Sequence, residues 1–243
     1  IRFLGDFMNL ILLFPEDFTD EGSRVRLSGR RHQHILKIHK AKLGDELCAG
    51  FVNGKIGTGR IVTLDHQSVD LEVELTEEPP PPIPLTLILA LPRPQVIKRT
   101  LLCASSLGIK KIIFLNFFRV EKSFWQSSSL LEDAIQEPLV LGLEQAKDTG
   151  LPEVLLRKRF KIFVEDELPE LTKGTLPLMA HPGAVYACQV SVRQPVTLVI
   201  GPEGGFIDFE LEKLTELGFQ AVDLGPRILR VESVLPFIVG KMF

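Results

Sequence analysis

"PVTLVIGPEGGFIDFELEKLTELG", residues 195–218, sets the architecture of the larger part of this chain. Val196 to Ile200 is a short unbroken apolar run, which suits a strand buried on both faces. Glycine and proline break that run at 201–205. "DFELEKLTELG" then spaces its apolar residues as an amphipathic helix, with Asp208 expected as cap and Gly218 as stop. Strand, tight turn and helix form the unit from which parallel sheets with helical covers are built.

The same rhythm extends in both directions. "LTLILAL" (85–91) reads as a buried strand, "QVIKRTLLCASSLG" (95–108) as a helix closed by Gly108, and "KKIIFLNFF" (110–118) as another strand. A longer helix is expected over roughly 128–149. "LPLMAHP" (176–182) and "QAVDLGPR" (220–227) add strands, and "VESVLPFIVGKM" (231–242) a last helix. The fold class is therefore α/β with a mostly parallel sheet. In such sheets ligands bind beyond the carboxyl ends of the strands. Three turns sit at those ends: "AHPGA" (180–184), "GPEGG" (201–205) and "LGPRILR" (224–230).

Upstream the pattern changes. "TEEPPPPIP", Thr76 to Pro84, holds five prolines in nine residues and reads as a stiff extended linker. Before it lie short strand-like runs, "MNLILLF", "RVRL", "ELCAGFV", "KIGTGRIV" and "SVDLEVEL". Asn53-Gly54 between two of them predicts a two-residue hairpin turn. "GRRHQHILKIHKA" puts Ile35, Ile38 and Ala41 at helical spacing. Many short strands and one helix predict a small β-barrel. The expected organisation is a barrel over 8–75, a linker over 76–84 and an α/β domain over 85–243, with Met8 as a candidate start and an upstream extension as the alternative for residues 1–7.

Of 243 residues, 28 are Lys or Arg and 31 Asp or Glu, a net charge of −3. That excludes a uniformly basic coat, but the charges are segregated. Residues 24–44 hold seven Lys/Arg and no acid, and residues 79–120 hold six more, again with no acid. A basic face of this kind suits a phosphate backbone, and the residues expected to meet RNA are Arg24, Arg26, Arg30, Arg31, Lys37, Lys40 and Arg93. The alternative is a set of solvated faces whose acids sit opposite in space. Three cysteines, Cys48, Cys103 and Cys188, are odd in number and far apart, which points to a reducing, cytoplasmic setting. No apolar stretch is long enough to cross a membrane as a helix. His32, His34 and His39 do not share a helix face, so no metal site is expected.

The glycine turns lack GxxxxGK[ST] and GxGxxG, so neither of those phosphate cradles is present. Glu203 within a turn opposes a polyphosphate and suits a ligand that is neutral or cationic. S-adenosylmethionine, a sulfonium attached to a neutral adenine, meets that description. Its alternative is that Gly204 and Gly205 serve only a tight turn.

"GPEGGF" followed by "LGPRILRVES" resembles the RsmE-type methyltransferases, which methylate N3 of a uridine in 16S ribosomal RNA and belong to the knotted SPOUT class. "LSGRRHQHILKIHKAKLGDEL" is similar to their PUA-like RNA-binding domain, and "RVEKSFW" (119–125) and "GLEQAKDTGLPEV" (142–154) also fit. The resemblance implies a PUA-like barrel, a SPOUT domain with a trefoil knot, a homodimer, and 16S rRNA of the small subunit or its precursor as partner, with neither membrane nor metal. It implies S-adenosylmethionine as cofactor, walled by Ala180, His181 and Pro182, by Ile200, Gly201, Glu203, Gly204 and Gly205, and by Leu224, Gly225, Ile228, Leu229 and Arg230. Arg230 is the expected catalytic cation, Glu232 its orienting or proton-relaying partner, and Arg119 the second candidate. The chain departs from the family at Ser106, Asp148 and Ser233-Val234. Ser106 and Asp148 keep open a binding module of the same fold that has lost catalysis; Ser233-Val234 is a milder change.

Overall fold

The structure is a computed structural model that describes residues 9–19 and 22–243. Met8 and the side chain of His39 lie outside the described residues. The chain divides into two compact units, one running up to Pro81 and taking in Leu143–Leu151, the other formed by Pro82–Gly142 and Pro152–Phe243.

The first unit is built from β1 (Ile11–Leu13), β2 (Arg24–Ser28), α1 (Gly29–His34), β3 (Glu46–Phe51), β4 (Ile56–Leu64) and β5 (Ser68–Glu77). Its sheet order is β1-β3-β4-β5-β2, antiparallel except for the β1–β3 pair. The sheet curls into a half-barrel where the sequence predicts a small barrel. β2 shows why it forms: Val25 and Leu27 alternate inward while Arg24, Arg26 and Ser28 face out. With Ile11, Leu13, Ile35, Leu47, Ile61, Val69 and Leu71 they make one apolar core.

Two local expectations are corrected. α1 continues as a π-helical turn over Ile35–His39, so Ile35 is buried but Ile38 is 68% exposed. The wider π turn rotates Ile38 off the core-facing stripe that α-helical spacing predicts. The β3–β4 link spans four residues, 52–55, and only Asn53 takes positive φ, at 57°. Asn53 is drawn instead to residues 149–151: its N–H donates to the Thr149 carbonyl at 2.8 Å and its Oδ1 accepts the Leu151 N–H at 2.8 Å.

Strands close on the proline segment from both sides, leaving 78–82 between β5 and β6 (Ile83–Ala90). Pro84 is tolerated inside β6 because the pairing register shifts between Ile83 and Thr86. After β6 come α2 (Pro94–Ser106), β7 (Ile109–Leu115), α3 (Glu132–Ala146), β8 (Glu153–Arg157), α4 (Phe160–Ile162), α5 (Leu168–Leu171), β9 (Leu176–Ala180), β10 (Tyr186–Ala187), β11 (Val196–Ile200), α6 (Asp208–Glu216), β12 (Gln220–Asp223) and α7 (Val231–Met242). The sheet order is β10-β12-β9-β11-β6-β7-β8, and every pair is parallel. β6, β7 and β8 step outward in one direction. β11 then pairs with the other edge of β6, with β9 and β12 beyond it, so the order reverses at β6–β11.

α3 is shorter than the expected 128–149, because short 3-10 turns occupy 122–126 and 128–130 and Lys147, at φ 52°, ends it. Asp208 is the first residue of α6 rather than its cap. Glu210 instead reaches back to accept the Ile207 N–H at 3.0 Å. Ser106 has a packing account: its Oγ donates to the Leu102 carbonyl at 2.8 Å and the Gly142 carbonyl at 3.3 Å. A Cβ on Gly142 would stand 2.7 Å from the Leu102 oxygen, so α2 and α3 meet where both are small.

Candidate active site

Because β12, β9, β11 and β6 are neighbours in one parallel sheet, the segments after their carboxyl ends converge. They enclose a cavity of about 810 Å³, within the range that small organic ligands fill. The first turn brings Ala180, His181 and Pro182 to it, the second Ile200, Gly201, Glu203, Gly204 and Gly205, and the third Leu224, Gly225, Ile228, Leu229 and Arg230. Arg119, Glu232 and Arg93 line it as well. Thus every residue singled out for cofactor or catalysis borders one space, and Arg93, singled out for RNA, joins them.

The glycines have separate reasons. Gly205 lies at φ +77°, a conformation side chains seldom adopt, and its N–H closes the turn on the Pro202 carbonyl at 2.8 Å. At Gly201 a Cβ would meet the Phe206 ring at 2.8 Å. Phe206 in turn packs against Phe117 and lies 6.1 Å from the His181 ring. His181 Nδ1 is buried without a hydrogen-bond partner among the described residues.

The lining holds five arginines, Arg93, Arg99, Arg119, Arg227 and Arg230, against three carboxylates, Glu203, Asp223 and Glu232, a surplus of two positive charges. Glu203 does not stand free in its turn: Arg93 pairs with it at 3.0 Å. Arg119 donates to the Gly204 carbonyl. Glu232 pairs with Arg99 of α2 at 3.8 Å, not with Arg230. Arg230 caps α7 through its backbone carbonyl, which accepts from Ser233 and Val234 at 2.8 and 2.9 Å. Its side chain is exposed and forms no ion pair among the described residues.

Sequence reasoning missed Asp223. Its Oδ1 accepts the Gly183 N–H at 2.9 Å and its Oδ2 the Gly225 N–H at 3.0 Å. Those bonds, Gly183 first, hold its carboxyl below the usual carboxylate range against the effect of burial. The available signal was an Asp ending a strand immediately before Leu-Gly, the position of a side chain that accepts from the next turn.

In the first unit the acid-free run finds acids across the fold. Arg26 and Arg24 reach Asp70 at 2.8 and 3.5 Å, Arg30 grips Glu144 at 2.9 and 3.1 Å, and Arg31 grips Asp17 at 2.5 and 2.6 Å. Arg26 holds the Asp70 carboxyl below its usual range. Lys37 and Lys40 are exposed and form no ion pair among the described residues. Cys48, Cys103 and Cys188 are free thiols, pushed up in pKa by burial and so poor nucleophiles. Among the described residues no helix is long and apolar enough to cross a membrane.

Comparison with known proteins places this geometry. Residues 79–242 match the model of the RNA methyltransferase domain. The ribosomal RNA small subunit methyltransferase E of Treponema pallidum is 29% identical over 231 residues, covering 93% of this chain and 87% of that protein. A protein of the same name from Borreliella burgdorferi is 26% identical over 229 residues, covering 93% of each chain. The crystal structure of ribosomal RNA small subunit methyltransferase E from Neisseria gonorrhoeae, bound to S-adenosyl methionine, superposes with a TM-score of 0.73 at 24% identity, covering 96% of this chain and 95% of that one. A Legionella pneumophila protein in complex with the bound cofactor SAM gives 0.69 at 23% identity, covering 95% and 94%. At those identities the structural likeness is one of fold, whereas the domain match covers most of the chain: this protein belongs to the RNA methyltransferase family, as its resemblance to RsmE-type enzymes implies.

Proposed function

We propose that this protein methylates N3 of a uridine in the 16S rRNA of the small ribosomal subunit or its precursor, using S-adenosylmethionine. The observation that carries the reading is the convergence of three strand-end turns on one cavity beside the guanidinium of Arg230, which forms no ion pair among the described residues. The family supports methyl transfer to RNA, and the names of the relatives support the small subunit. The surplus of arginines around the cavity supports a polyanionic substrate.

The residues present fit the cofactor. A glycine-lined wall lets backbone groups approach an adenosine closely, and the orphaned Nδ1 of His181 offers a buried polar atom to a ligand. The three turns would hold it, from Ala180–Pro182, Ile200–Gly205 and Leu224–Arg230. When bound, S-adenosylmethionine supplies an electrophilic methyl group on a sulfonium sulfur.

N3 of uracil carries a proton at neutral pH and becomes a nucleophile as that proton leaves. Arg230 stabilises the negative charge that develops on the uracil, since a guanidinium stays charged and offers several donors. Glu232, steadied by Arg99, accepts the N3 proton at a carboxylate oxygen. Arg119 braces the second turn through the Gly204 carbonyl. A uridine within a helix must leave its stack to be reached. The first unit is a PUA-like RNA-binding module, the second a SPOUT-type domain with a trefoil knot, and the working form a cytoplasmic homodimer.

The test is to incubate the purified protein with labelled S-adenosylmethionine and with small subunits, large subunits or naked 16S rRNA from cells lacking the protein. Label entering 16S rRNA alone supports the reading. Label entering none of them, by a protein that binds the cofactor, refutes it.

A further inference from the structure

Asp223 does something that neither the turns nor the arginines do. It ends β12 and borders the cavity, and its two oxygens bind glycine N–H groups of different turns, Gly183 in the first and Gly225 in the third. Its backbone is fixed as well: Ala187 of β10 pairs with it, and the Cys188 N–H donates to its carbonyl at 3.0 Å. A carboxylate held on both sides in this way cannot swing aside when a ligand arrives.

Its charge also differs from those of the other lining carboxylates. Glu203 has Arg93 and Glu232 has Arg99, whereas Asp223 forms no ion pair among the described residues. The charged and titratable groups around it are Lys241 of α7, Tyr186 of β10, Cys188 just after β10, His181 in the first turn and Arg227 in its own turn. Lys241 acts on it through space, from beyond ion-pair distance. Burial keeps the Cys188 thiol neutral. The low pKa that its backbone donors give the carboxyl keeps it ionised throughout the physiological range.

We propose that Asp223 is the charge-selective positioning residue of the cofactor site, joining the first and third turns into one cradle and favouring the sulfonium cofactor over its neutral thioether product. This rests on the reading that S-adenosylmethionine occupies the cavity. Cofactor and product differ by one methyl group and one positive charge. A fixed negative charge that forms no ion pair among the described residues therefore separates them where backbone contacts to adenine and ribose do not. In a partly open cavity such a charge is worth about a threefold to tenfold difference in Kd. The consequence is directional: cofactor is retained, and product leaves more readily once the charge has gone.

Calorimetry on the full-length protein with S-adenosylmethionine and with S-adenosylhomocysteine tests this on wild type, Asp223→Asn and Asp223→Glu. Asn keeps the shape and one acceptor oxygen but removes the charge. Asp223→Asn is expected to weaken cofactor binding about threefold to tenfold more than product binding. Asp223→Glu, which keeps the charge, is expected to hold the wild-type preference within about twofold. Asp223→Ser supplies a second neutral variant should the Asn protein not fold. Equal weakening of both ligands, or no change in either, overturns the proposal, because a clasp of purely structural value moves both alike. A wild-type protein that binds neither ligand overturns the functional reading itself, and is told apart because no variant is needed to see it.

Discussion

Arg230 separates catalysis from mere binding at the scale of one residue. Its backbone caps α7 while its guanidinium carries no ion pair among the described residues, so removing the side chain leaves the cap intact. Arg230→Ala is expected to lower single-turnover methylation about a hundredfold to a thousandfold, the usual cost of one lost electrostatic donor. Cofactor affinity and melting temperature should stay near wild type, because the charge it meets develops only in the transition state. Arg230→Lys should restore only part of the rate, since an ammonium lacks the planar fork. Normal turnover in a stable Arg230→Ala protein would move the role to Arg119. Among the arginines expected to meet RNA, Arg31 sorts differently once its partners are seen. It is largely buried, grips Asp17 and donates to the Leu12 carbonyl at 2.9 Å. Arg31→Ala is expected to cost about 2–4 kcal/mol of stability by denaturant titration, because it leaves Asp17 buried and unpaired. Lys37→Ala with Lys40→Ala should leave stability unchanged and flatten the salt dependence of RNA binding by about two phosphate contacts. An unchanged salt slope would show that these lysines face solvent.

At the scale of elements, the strands and turns of the second unit are legible because Gly and Pro stop each apolar run where the backbone must turn. β8 and the helical stretch from α4 to α5 are not. β8 is half-buried along most of its length, and the following residues are rich in charge, so neither periodicity stands out. The π turn after α1 escapes detection for a related reason: Ile38 has α-helical spacing from Ile35, and only the packed core decides which one points inward. The ion pairs of the site are also invisible locally, since Arg93 meets Glu203 and Arg99 meets Glu232 only after the sheet order reverses. Glu210 ties two such elements. Buried at the start of α6, it accepts the Ile207 N–H and, at 2.7 Å, the Phe118 N–H beside Arg119. Glu210→Ala is expected to cost about 1–3 kcal/mol, the penalty for leaving two part-buried backbone donors unpaired. It should also lower turnover by letting Arg119 drift from Gly204, and a melting temperature equal to wild type would contradict this.

At the scale of the whole molecule, three aspartates among the described residues have carboxyls held below the usual range: Asp70 chiefly by the Arg26 side chain, Asp65 by the Gln67 N–H, and Asp223 by the Gly183 N–H. A depressed folded pKa contributes stability above the unfolded value of about 3.9 and loses it as pH falls through the folded value. Stability should therefore stay level from neutral pH to about 5 and then fall. Asp70→Asn, which lacks one of these carboxylates, should lose less between pH 5 and pH 3 than wild type does. Parallel acid limbs would remove Asp70 from that account. Two units, a surplus of arginine around one cavity and the RNA methyltransferase domain all bear on one claim, which nucleoside mass spectrometry tests most directly. Small subunits from cells lacking the protein are treated with it and S-adenosylmethionine, and their 16S rRNA is digested. The expected result is 3-methyluridine at one position, formed about a hundredfold to a thousandfold more slowly when Arg230→Ala replaces the wild type. A methyl group on ribose or on another base, or no new methyl group from a protein that binds the cofactor, would contradict it.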